Sequence, residues 1–64
     1  MQTNYAVMSK TTGQLFVGFD ADNNVLWTDD ERQARAYSDK RDARGQALLF
    51  VAMLIPAQQK PVAL

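Results

Sequence analysis

Asp20, Asp22, Asn24, Thr28 and Glu31 fall at the first, third, fifth, ninth and twelfth places of a twelve-residue window, the spacing at which an EF-hand loop presents oxygen ligands to calcium. Two features argue against an ion. The sixth place, where that loop needs Gly for a sharp turn, holds Val25, and the residues before Asp20 read as a strand where the motif requires a helix. A polar hairpin turn followed by a helix cap accounts for the same residues, so no metal and no other cofactor is expected.

Catalysis has few residues to draw on. The chain has no His and no Cys, which removes Ser-His-Asp and Cys-His nucleophile arrangements and leaves carboxylates, Lys, Arg, Tyr, Ser and Thr. Asp29 and Asp30 are adjacent, but acids at a helix start are ordinarily solvated, and acid-base work needs a pocket that shifts a pKa. Gly13, Gly18 and Gly45 stand apart and form no phosphate loop. The sequence reads as non-enzymatic.

Arg32, Arg35, Arg41 and Arg44 form two i,i+3 pairs, a spacing that could line exposed helix faces with cations for phosphates or for an acidic protein patch. Asp39 and Asp42 interrupt the cluster, and seven Lys+Arg balance seven Asp+Glu. Nucleic acid is therefore the alternative partner rather than the first, and a solvated face with local ion pairs is the plain reading. Charge nevertheless falls in blocks: residues 20–31 hold five acids and no base, residues 32–44 five bases and two acids.

The elements that must position these groups begin with a hairpin. Tyr5-Ala6-Val7-Met8 and Leu15-Phe16-Val17-Gly18-Phe19 are strand-like runs separated by the turn residues Thr11-Thr12-Gly13-Gln14. A second polar turn, Asp20 to Asn24, leads to a third short strand, Val25-Leu26-Trp27. With strict alternation, Tyr5, Val7, Leu15, Val17, Phe19, Val25 and Trp27 share one face and Ala6, Met8, Phe16 and Leu26 the other. Thr28-Asp29-Asp30-Glu31 is a capping box that predicts a first helix with Ala34 and Tyr37 toward the sheet. Ser38-Asp39 offers a second N-cap, with a second helix over residues 40–47 whose apolar stripe is Ala43 and Ala47.

Leu48 to Ile55 is an unbroken apolar run stopped by Pro56, either a strand or the end of the preceding helix. A strand over Phe50 to Ile55 is favoured, because the length suits one and Pro56 biases Ile55 toward extended backbone. Eight residues are far short of the roughly 20 needed for a membrane-spanning helix. As a strand the run shows Phe50, Ala52 and Leu54 to one side and Val51, Met53 and Ile55 to the other, and one helical layer covers only one of them. Either the residues from Gln58 to Leu64 cover the second face, or another polypeptide does.

Size favours the second polypeptide. A chain of 64 residues buries only about 60% of the surface it exposes when unfolded. With no Cys for disulfides and no Cys or His for a structural zinc site, association is the remaining way to add buried surface. The expectation is a single α+β domain over residues 1–56, with a small antiparallel sheet of three to four strands in ββ(β)ααβ order and two short helices on one face. Residues 57–64 are expected as a C-terminal tail free to be flexible. A homodimer is expected, with Met8, Phe16, Val51, Met53 and Ile55 at the partner or dimer interface and Arg32, Arg35, Arg41 and Arg44 as a charged contact face. The Met1-Gln2-Thr3-Asn4 start lacks the regions of a signal peptide, and the lack of Cys fits a reducing, cytoplasmic setting without membrane attachment.

The order of hairpin, Trp27-Thr28-Asp29-Asp30, Ala34, Tyr37, Ser38, Ala43 and a closing hydrophobic segment before Pro56 resembles short proteins of phages and mobile elements over residues 5–56. Some proteins of that kind are anti-defence inhibitors, including anti-CRISPR proteins, that bind a host protein rather than perform chemistry. The resemblance implies a regulatory or inhibitory protein-binding role in the host cytoplasm. It carries over no site residues.

Overall fold

The computed structural model describes residues 3–63. Four strands, β1 (Thr3–Ser9), β2 (Leu15–Phe19), β3 (Val25–Thr28) and β4 (Ala57–Ala63), and one helix, α1 (Lys40–Ala52), follow in the order β1-β2-β3-α1-β4. The strands form one antiparallel sheet in the spatial order β3-β2-β1-β4. The α+β class and the first three strands match the sequence expectation; the number of helices and the end of the chain do not.

The β1–β2 turn forms because Ser9 closes it from one end. Its hydroxyl oxygen accepts from the Thr11 and Thr12 amides at 3.3 Å each, and Gly13 supplies a φ of 76° that a side chain would resist. In the next turn Asp20 Oδ1 accepts from the Asp22 and Asn24 amides at 2.8 and 2.9 Å, with Asn23 left-handed at φ 63°. A bulge between Phe16 and Gly18 in β2 then breaks strict alternation. It puts both Phe16 and Phe19 on the helix side, opposite Trp27 and Val25, while Leu15 faces away with Ala6 and Met8. The alternation expected for β2 is corrected accordingly.

The predicted first helix does not form. Thr28 Oγ1 accepts from the Asp30 amide two residues on, Asp30 Oδ1 accepts from the Arg32 amide, and Glu31 turns to Lys60 instead of reaching back to residue 28. These short-range bonds make turns, which compete with helix for the same backbone groups. The chain then extends, and β1 and β2, paired at Met8–Leu15, part to admit it: the Arg35 amide donates to the Phe16 carbonyl at 2.9 Å, and Tyr37 bridges to Tyr5. Residues 35–37 thus fill a split in the sheet. Ala34 lies on the face away from α1, against Ala6, Leu15 and Val62.

Asp39 caps α1 as expected, its Oδ1 accepting from the Arg41 amide at 2.9 Å. The helix does not stop at Ala47. Phe50 extends the Ala43, Ala47 stripe at i, i+4, i+7, and all three are buried against Val7, Phe16 and Ala57. Phe50 and Phe16 meet edge to face at 5.0 Å, and complete burial of side chains such as these contributes about 1.5–3 kcal/mol each. The strand favoured over Phe50 to Ile55 is therefore corrected to the last turn of a helix and its cap. Residues 57–63 of the expected tail form β4, paired with β1 along its whole length, and Leu64 lies outside the described residues.

Candidate functional site

The end of α1 is built from an unusual cap. The Ile55 amide donates to the Phe50 carbonyl at 2.8 Å and the Leu54 amide to the Val51 carbonyl at 3.0 Å, while Ile55 packs back on the core beside Phe50. This is a Schellman motif, whose left-handed position is usually Gly because a Cβ is penalised there. Here Leu54 occupies it at φ 65° with 91% of its surface exposed. Around it Leu48, Leu49, Val51 and Met53 are also exposed, giving a knuckle of five large apolar side chains within seven residues.

Helical spacing divides that knuckle. Leu48 lies on the flank of Lys40 and Arg44, and these three line a groove against Ala57, Gln58 and Gln59 of β4. Leu49 and Met53 lie on the opposite flank with Asp42. That flank faces the β2 side, where Phe19, exposed at its rim, stands 6.4 Å from Phe50.

The sequence-derived interface residues separate. Phe16, 2% exposed, sits in the middle of the core and has no surface to give a partner. Ile55 is half-buried as the hydrophobic contact of the cap, and Met8 is half-buried on the other face beside Ala6, Leu15 and Val62. Val51 and Met53 are exposed, but on a helix and its cap rather than on a strand. Leu48, Leu49 and Leu54 were not among the expected residues. Continuing the Ala43, Ala47 period to Phe50 would have placed Leu48 and Leu49 outward, whereas the left-handed Leu54 leaves no sequence signal.

The four arginines do not form one face. Arg32 pairs with Asp30 at 3.2 Å in the segment after β3, and Arg41 lies 3.8 Å from its own cap residue Asp39. Hydrogen bonds from Arg32 hold the Asp30 carboxyl below its usual range, and the same contact raises Arg32. Arg35 lies over the Tyr37 ring at 5.8 Å. Arg44 has no acidic partner among the described residues, nor has Lys40 one turn before it. Asp20, first of the calcium-like series, spends both carboxylate oxygens on its own turn and is held below its ordinary pKa, first by the Asn24 amide. Among the described residues no three potential ligands group to hold a metal ion, and no helix is long and apolar enough to cross a membrane.

No protein-family model, curated protein or solved structure matches the chain.

Proposed function

We propose that this chain is a non-catalytic protein-binding module that works as a homodimer, with Leu49, Met53 and Leu54 at the centre of the contact between copies. Leu54 carries the reading. An exposed Leu in a left-handed conformation costs about 1–2 kcal/mol that Gly would avoid, and it gains nothing from its own chain. Residues held against local preference are expected where the side chain acts outside the fold.

A second copy fits this surface on size. A standard interface takes about 800 Å² from each partner, under a fifth of the chain's 4428 Å², and a core this small gains from that burial. A dimer presenting two identical sets of binding groups suits a regulator or inhibitor that covers a surface of a host protein, the role implied by the resemblance to small phage proteins. Nucleic acid is the weaker reading, because three of the four arginines are engaged within the chain.

The test is solution mass by light scattering. The expected mass is twice the 7.2 kDa of the chain, moving toward a single chain in Leu54→Gly and in Met53→Glu. A wild-type protein that stays at 7.2 kDa up to millimolar concentration overturns the dimer.

A further inference from the structure

β4 is an edge of the sheet, and the register shows which of its backbone groups are open. Tyr5 uses both its amide and its carbonyl on Tyr37, on the side of β1 away from β4. Tyr5 and Pro61 are therefore a pair without hydrogen bonds across β1–β4, and Asn4–Val62, Ala6–Lys60 and Met8–Gln58 are the bonded pairs. By the same alternation Ala57 and Gln59 direct their amides and carbonyls outward, and Pro61 directs outward a nitrogen with no hydrogen. A proline at that place leaves the β1–β4 ladder intact and ends the run of open donors. Before Pro61 the open edge is a short template of two outward residues, Ala57 and Gln59.

That template borders the groove of about 320 Å³ between α1 and β4, lined by Lys40, Arg44, Ala47, Leu48, Ala57, Gln58 and Gln59. Lys40 and Arg44 stand one helical turn apart on its α1 wall without an acidic partner among the described residues. The other wall holds Gln59, whose Oε1 is buried with no hydrogen-bond partner. Buried carbonyl oxygens are rarely left so. Open strand and uncompensated cations converge on one place.

We infer that this groove takes an extended, acidic peptide segment of a partner protein, added as a fifth strand beside Ala57–Gln59, with its carboxylates toward Lys40 and Arg44. Main-chain bonds to the edge supply affinity and the cations select acidic side chains. The site is separate from the surface centred on Leu49, Met53 and Leu54, and stands whether the chain is a monomer or a dimer.

The probe is a fluorescent peptide of alternating Val and Glu, with three controls: the same peptide with Lys for Glu, a version N-methylated on alternate amides, and the Leu54→Gly protein. Expected are saturable binding of the acidic peptide that weakens with salt and new exchange protection at the Ala57 and Gln59 amides. The Lys and N-methyl peptides should not bind. The double variant Lys40→Glu, Arg44→Glu should lose about tenfold in affinity, with Leu54→Gly unchanged. Equal binding of acidic and basic peptides, or no protection at Ala57 and Gln59, overturns the inference. So does protection of those amides in the free protein that grows with concentration, since the edge would then be a contact between copies.

Discussion

Tyr5 and Tyr37 exchange both of their backbone hydrogen bonds, at 2.8 and 2.7 Å, across the gap where β1 and β2 part. The segment after β3 thereby ends inside the sheet, and the Tyr37 ring joins the core under α1. Completing the sheet from a connecting loop leaves β4 as the outer strand and places the helix cap, Asp39, two residues later, with α1 beginning at Lys40.

Tyr37 gives this arrangement a pH signature. Burial, opposed by the Arg35 cation and reinforced by the Asp42 carboxylate, pushes the Tyr37 phenol above its ordinary 10.0. The unfolded chain releases that proton first, so the contribution to stability is complete below about pH 10 and is lost as pH rises through the folded value. The difference in denaturant midpoint between wild type and Tyr37→Phe should stay constant to about pH 10 and then shift against wild type. A constant difference through the alkaline range would contradict the burial.

Much of the sheet could be read directly from residue types, because the signals lay within a few residues of their effects: Gly13 in one turn, the Asp20 to Asn24 turn, and Asp39 as a cap. The helix predicted after Thr28 failed because the capping-box side chains made shorter loops, and because the open edges of Phe16 and Tyr5 captured the chain. Neither partner is near in sequence. β4 was hidden for another reason: Gln58, Gln59, Lys60 and Pro61 have little strand propensity, and their pairing is supplied by β1. The cations of the groove are partly legible, since Arg44 belongs to an i,i+3 arginine pair and Lys40 does not. Their separation from Arg32 and Arg35 depends on that unforeseen split in the sheet.

The second turn makes a sharp comparison at Asn23, whose φ of 63° suits Gly and Asn. Asn23→Gly should leave stability unchanged or slightly raised, whereas Asn23→Val should lose about 1–2 kcal/mol in chemical unfolding. Asp20 holds the same turn through its carboxylate. Its lowered pKa means that this support is complete above pH 3.8 and fades as pH falls through the lowered value. Acid unfolding of Asp20→Asn should accordingly show a weaker pH dependence than that of wild type.

Phe50 is the side chain on which α1 depends most. It is fully buried, 5.0 Å from Phe16 and 5.5 Å from Trp27 between ring centres. Phe50→Ala should remove about 3–5 kcal/mol, a large share of the 5–15 kcal/mol typical of a small domain. Phe50→Leu should lose less. Trp27 is the single tryptophan, so its emission should follow unfolding in both variants, with a red shift before any denaturant in Phe50→Ala. Unchanged emission and an unchanged midpoint would mean that α1 does not dock through Phe50.

Leu54 separates what the fold needs from what an interface needs. In the monomer it occupies the left-handed cap position and is almost wholly exposed, so replacing it with Gly should relieve about 1 kcal/mol of backbone strain, less the greater entropy of the unfolded chain. Measured by denaturant unfolding at a dilution where only single chains are present, Leu54→Gly should therefore be at least as stable as wild type. At high concentration the order should reverse, because burial between copies stabilises the wild type by mass action and not the variant. Leu54→Ala keeps the strain and loses the apolar surface, so it should be the less stable of the two variants at every concentration. If Leu54→Gly is the more stable protein when concentrated as well as when dilute, the strained leucine does not hold two copies together.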